Sequence, residues 1–131
     1  MKSISIKTDA RTEFIDITSK IEEIIRKNQW GNGILCVYVP HTTAGVTINE
    51  CADPSVQKDI LNQLNKMVPF EGSYLHTEGN SAAHIKASLI GSSINLIVEN
   101  NKLALGRWQG IFFCEFDGPR SREAYLYFHK D

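Results

Sequence analysis

The run Ile34-Leu35-Cys36-Val37-Tyr38-Val39, cut off by Pro40, constrains this chain more than any other segment. A short, unbroken apolar stretch rich in β-branched and aromatic residues reads as a central strand buried on both faces. Proline ends it because its nitrogen has no hydrogen to give a ladder. Such a strand needs neighbours in a sheet and a covering layer on each side. The remaining sequence must therefore supply both strands and helices.

It supplies both. Residues 2–8 and 12–17 read as strands joined by the polar turn Asp9-Ala10-Arg11. A helix follows, with Ser19 and Glu22 at capping-box spacing and Ile21, Ile24 and Ile25 as its apolar stripe, and Asn28 to Gly33 ends it. After the 34–39 strand, His41-Thr42-Thr43-Ala44-Gly45 is a turn, and residues 46–50 alternate as a half-buried strand. Asp53-Pro54 opens a second helix, with an N-cap acceptor followed by proline at the first helical position. Val56, Ile60, Leu61, Leu64 and Met67 form its core face, and Pro69 stops it. Residues 69–80 make a long Gly-, Ser- and His-containing loop, the length at which loops tend to be functional or disordered. A shorter helix spans 81–90, with Ala82, Ile85 and Leu89 as its stripe and Gly91 as its end. Strands follow over 92–98, over 103–105 continuing through 108–116, and over 121–128, with Asn100-Asn101 as a hairpin turn. The order is two strands, a helix, two strands, two helices and three strands. That order predicts an α+β fold, a mostly antiparallel sheet or sandwich with two to three helices.

A chain of 131 residues without linker, repeat or low-complexity segment reads as one domain over 1–131. Its net charge is −1, from 14 basic and 15 acidic residues with no long run of one sign, so the electrostatic footprint of a nucleic-acid binder is missing. The start alternates as a strand and does not resemble a signal peptide, and no apolar run is long enough to span a bilayer. Cys36, Cys51 and Cys114 are odd in number and lack CxxC spacing. They predict reduced thiols in a cytoplasmic protein.

Three of the four histidines occupy positions that suit chemistry. His41 follows the buried strand and opens a turn, where small-molecule sites tend to form. His76 lies in the long loop. His84 lies about one turn inside the 81–90 helix, at the edge of its apolar stripe. The spacing is loop to helix and not the same-helix HxxxH of zincins, so it says little about metal. His129 lies beside the C-terminus and reads as solvated. Gly79-Asn80-Ser81 precedes the short helix and would leave N–H groups facing a phosphate or carboxylate, although Asn80 or Ser81 could equally be an ordinary N-cap. Gly106-Arg107-Trp108-Gln109-Gly110 precedes a buried strand. Glu115-Phe116-Asp117-Gly118-Pro119-Arg120 ends it in a turn, and Arg120 and Arg122 also suit a solvated edge strand.

Three stretches together resemble the YjbQ family, also called the secondary thiamine-phosphate synthase family. They are residues 40–50 with Asp53-Pro54-Ser55-Val56, residues 76–93, and residues 105–120. The likeness covers essentially the whole chain in order. Arg107 stands where other members vary, and Cys51 replaces a more usual Asn. The resemblance implies a compact domain assembling as a homotrimer. It also implies a secondary thiamine-phosphate synthase activity, in which the thiazole phosphate nitrogen displaces pyrophosphate from hydroxymethylpyrimidine diphosphate. On this basis His41, His76 and His84 are expected to share a site holding a divalent metal, with zinc first, since neutral imidazoles suit it. His41, His84 and Glu50 are the expected catalytic residues, with Glu50 or Asp53 orienting an imidazole. Gly79, Asn80, Ser81 and Arg120 are the expected phosphate-binding residues, with Lys86 as a further charge. The alternative expectation is a trimeric module that binds a phosphorylated metabolite or anion without turnover.

Overall fold

The computed structural model describes all of residues 1–131. Period-two apolar patterning builds eight strands in chain order with three helices between them. They are β1 (Lys2–Lys7), β2 (Glu13–Asp16), α1 (Thr18–Lys27), β3 (Gly33–Tyr38), β4 (Ala44–Glu50), α2 (Pro54–Met67), α3 (Ser81–Ile90), β5 (Ser93–Glu99), β6 (Lys102–Leu103), β7 (Gln109–Glu115) and β8 (Ser121–Lys130). Every strand pairing is antiparallel. One sheet has the order β1-β8-β3-β5-β6, and the other has the order β2-β7-β4. The fold is α+β, as the element order predicts.

The two sheets face each other. Ile4, Leu35, Val37, Leu96 and Leu126 from the larger sheet meet Val46, Ile111 and Phe113 from the smaller one, with Ile21 and Ile25 of α1 in the same cluster. A second cluster lies on the opposite face of the smaller sheet. There Phe112, Cys114 and Phe116 meet Leu64 of α2 and Ala83 and Ala87 of α3. The smaller sheet is thus the middle layer, and β7 is buried on both faces.

This corrects the reading of the 34–39 run. β3 is central in its sheet, but only one face is covered: Leu35 and Val37 are buried, while Ile34 and Tyr38 are exposed. The doubly buried strand is Ile111-Phe112-Phe113-Cys114, because the α2–α3 layer lies on the other sheet. Other local expectations shift as well. β6 and β7 belong to different sheets, so residues 103–116 do not form one strand. The capping box at Ser19 is not made; Asp16 Oδ1 instead accepts from the N–H and hydroxyl of Thr18 at 2.9 and 2.6 Å. On α3 the buried face is Ala82, Ala83, Lys86 and Ala87, while Ile85 and Leu89 are exposed. Asp53 does cap α2, accepting from Ser55 N–H at 2.9 Å with Pro54 next. Asn100 and Asn101 both have positive φ, as a tight hairpin turn requires.

Candidate functional site

β3 ends at Tyr38, two residues before Pro40, while its neighbour β8 runs on to Ser121. Tyr38 pairs with Tyr125, so Pro40 stands where Glu123 would find its next partner. Proline ends the ladder there, and a side chain completes it: the Glu123 N–H donates to His41 Nε2 at 3.0 Å. An Nε2 that accepts leaves the imidazole neutral with its proton on Nδ1. Burial lowers the His41 pKa from its ordinary 6.5, and the nearby Arg122 guanidinium lowers it further.

α3 carries the second wall. It packs on β4 because Gly45 has no side chain; a Cβ there would stand 2.6 Å from the Gly91 carbonyl oxygen. Val46 N–H donates to that same oxygen at 3.1 Å. The close approach brings His84 beside His41, and both line a cleft of about 330 Å³ with Thr42, Ser88 and Ser92. An adjoining cleft of about 380 Å³ is lined by His41, Glu78, Asn80, His84, Asp117, Arg120 and Arg122, with no hydrophobic residue, so two carboxylates face its two guanidinium groups.

α3 meets this polar cleft through Asn80 and His84, whereas Ser81 lines the neighbouring cleft that holds His76. Gly79 takes φ +80, which favours glycine. Asn80 occupies the N-cap position but makes no side-chain cap. Its Nδ2 instead donates to Asp117 Oδ2 at 2.9 Å, and its buried Oδ1 has no partner. The same Asp117 oxygen accepts from Arg120 Nη2 at 3.0 Å, and Arg120 Nε donates to the Asp117 carbonyl at 2.8 Å. The Ala82 N–H therefore lacks the cap that Asn80 could supply.

Beneath the cleft lies a buried ion pair that the sequence did not disclose. Arg122 Nε donates to Glu115 Oε1 at 2.9 Å, and Nη2 donates to Thr43 Oγ1 at 2.8 Å. Glu115 also accepts from Thr8 Oγ1 and from the N–H groups of Phe116 and Asp117. Burial pushes the Glu115 pKa up, but these donors and the Arg122 charge outweigh it, and the carboxyl stays below its ordinary value. β8 is an interior strand, so Arg122 is not an edge charge. Its alternation with Ala124 and Leu126, both buried, was the available signal that it points inward.

The remaining candidates separate. His76 lies near His84, with ring centroids 5.4 Å apart and edge-on, and the two share a cleft with Tyr74, Leu75, Ser81 and Ile85 that His41 does not line. No three His, Cys, Asp or Glu side chains come together as a metal-ligand group within the chain. With His41 Nε2 already accepting, the trio as placed does not fit a three-histidine metal site. Glu50 is a second correction: it pairs with Gln109 at one end of β4, whereas Ala44, at the other, pairs with Glu115 beside the cleft. Six strand steps put Glu50 about 20 Å from the cleft. Asp53 is occupied as the α2 cap. Lys86 faces α2, where its ammonium donates to Asn65 Oδ1, and it lines none of the clefts around His84.

Two antiparallel sheets, an outer pair of helices and a polar cleft at the β3–α3 junction define the class. The family described as UPF0047 protein YjbQ-like matches residues 2–131. The chain is 50% identical over 127 residues to UPF0047 protein YugU of Bacillus subtilis, covering 96% of each. It is 54% identical over 121 residues to UPF0047 protein MJ1081 of Methanocaldococcus jannaschii, covering 92% of this chain and 88% of that one. Among solved structures it resembles an uncharacterized conserved protein of the yjbq/upf0047 family from Clostridium acetobutylicum. The TM-score is 0.96 and the identity 51%, over 98% of this chain and 100% of that one. The chain belongs to the YjbQ/UPF0047 family. No helix is long and apolar enough to cross a membrane.

Proposed function

We propose that the cleft between His41 and the N-terminus of α3 binds the phosphate of a small phosphorylated molecule. The observation that carries this reading is the convergence of Arg120, Arg122, His41, His84 and Asn80 on one cleft without a hydrophobic lining residue. Helix N–H groups and guanidinium groups are the standard protein donors for phosphate oxygens.

The reaction we assign to the cleft is thiamine-phosphate synthesis as a secondary activity. The thiazole phosphate nitrogen attacks the pyrimidine methylene carbon and forms a C–N bond. The C–O bond to the diphosphate breaks, and pyrophosphate leaves with the bonding pair. Arg120 would stabilise charge gathering on that leaving group. His41, neutral and held by Glu123, would present its Nδ1–H as a donor, with His84 opposite. Binding without turnover is the second reading; it is favoured by the absence of a nucleophile–base hydrogen bond in the cleft. Zinc is kept as a separate reading of His76 and His84, with His41 joining only after releasing Glu123. We also propose a cytoplasmic location, from the three free thiols, and a homotrimer.

Calorimetric titration with pyrophosphate should give saturable binding that weakens about tenfold in Arg120→Ala, roughly 1.4 kcal/mol. A synthase assay on protein free of the dedicated host enzyme then separates the two readings. Activity unchanged in His84→Ala would remove catalysis from this cleft. Zinc titration of the same variant tests the metal reading, which fails if stoichiometric binding persists.

A further inference from the structure

A second cleft, of about 580 Å³, shares His41 and Arg122 with the first but runs along β1 and α1. Its lining carries the ammonium groups of Lys7 and Lys20 and the hydroxyl groups of Ser5 and Ser121. Neither lysine has an ion-pair partner in the chain. Arg122 is the built element of this wall: its side chain is only 5% exposed. Its Nε and Nη2 are committed to Glu115 and Thr43, and Nη1 makes no hydrogen bond within the chain. The opposing charge is Glu123, an exposed residue whose carboxylate accepts from Ser3 Oγ at 3.4 Å. Farther along α1, Glu23 and Lys27 line an adjoining groove together with Lys20.

We propose that this second cleft is a subsite for a second phosphate or diphosphate group, so that His41 and Arg122 stand between two anions. The inference rests on the phosphate reading of the first cleft and extends it. Two unpaired ammonium groups, two hydroxyl groups and a fixed guanidinium suit phosphate oxygens. The volume falls within the range of small-molecule sites. The occupant is the phosphorylated end of a second reactant, held against the first across His41. A reaction that joins two phosphorylated molecules is served by this arrangement, because each anion has its own holding site while the reacting atoms are brought together.

Inorganic phosphate titrated into 15N-labelled protein tests the idea at low salt, where screening is weak. The backbone amides of Gly79 to Ala82 report the first cleft, and those of Ser5 and Ser121 report the second. Two groups of shifts with separate midpoints are expected. Lys7→Gln combined with Lys20→Gln should weaken the Ser5 and Ser121 response at least tenfold and leave the Gly79 to Ala82 midpoint within twofold. Both lysines are exposed, so the variant should keep the wild-type spectrum elsewhere. Glu123→Gln should tighten the second response several-fold. Silent Ser5 and Ser121 amides in the wild type, or an unchanged midpoint in the double variant, would overturn the proposal. Silence at Gly79 to Ala82 with a response at Ser5 and Ser121 would instead overturn the first cleft and keep the second.

Discussion

Asn80 sits where an asparagine side chain ordinarily accepts from the N–H groups opening a helix. Asp117 prevents this by taking the Asn80 amide group for itself. The same carboxylate holds Arg120, so one residue both uncaps α3 and aims a guanidinium at the cleft. Replacing Asp117 by Ala frees both. Asn80 can then cap α3, a gain of about 1 kcal/mol that offsets the lost contacts. The expected outcome is phosphate binding weakened roughly tenfold with a melting temperature close to wild type. Calorimetry and thermal unfolding, run side by side, check it. A large fall in melting temperature accompanying the loss of binding would mean that Asp117 is only a structural tie.

Elements carry information that single residues hide. Helix ends and hairpin turns were legible because their signals are local: Asp53-Pro54 begins α2, Gly91 ends α3, and Asn100-Asn101 turns β5 into β6. The layer order was not legible. A run of apolar residues in β3 looks like one in β7, and only tertiary packing decides which sheet receives helices on its outer face. His41 and His84 could be flagged from their local settings, but Glu115 and Arg122 could not be paired. The two side chains meet only once β7 and β8 lie in facing sheets, with Thr8 bridging from the end of β1. That pair predicts a stability profile. Glu115 titrates below its ordinary 4.5 in the native state, so its contribution is fully present above that value. It is lost as pH falls through the lower native pKa. Urea midpoints should therefore drop on acidification below about pH 4.5. Glu115→Gln should cost about 3–5 kcal/mol at pH 7, because Arg122 stays buried without its counter-charge. The variant should also show a shallower acid slope; a slope equal to the wild type would assign acid lability elsewhere.

At the scale of the whole molecule, the larger sheet has one covered and one bare face. On the bare face, register places Ile34 opposite Ile97, Cys36 opposite Tyr127, and Tyr38 opposite Tyr125, and cross-strand partners share a face. Ile97 and Tyr127 are 63% and 61% exposed. Scattered apolar residues are ordinary on a surface, but a contiguous set on adjacent strands marks an interaction site. This face is the surface we assign to trimer assembly, because it needs a cover that α1, α2 and α3 do not provide. Ile97→Lys with Tyr127→Lys places like charges on it without touching either core cluster. Sedimentation analysis should then find a monomer, against the trimer proposed for the wild type, with the far-ultraviolet spectrum unchanged. Phosphate titration of that monomer carries the question to the cleft. Retained affinity means that each subunit builds its own site from His41, His84 and Arg120, whereas loss means that the site needs a neighbour. An intact trimer in the double variant would move the interface to another surface, such as the exposed Leu75 and Ile85 beside His76.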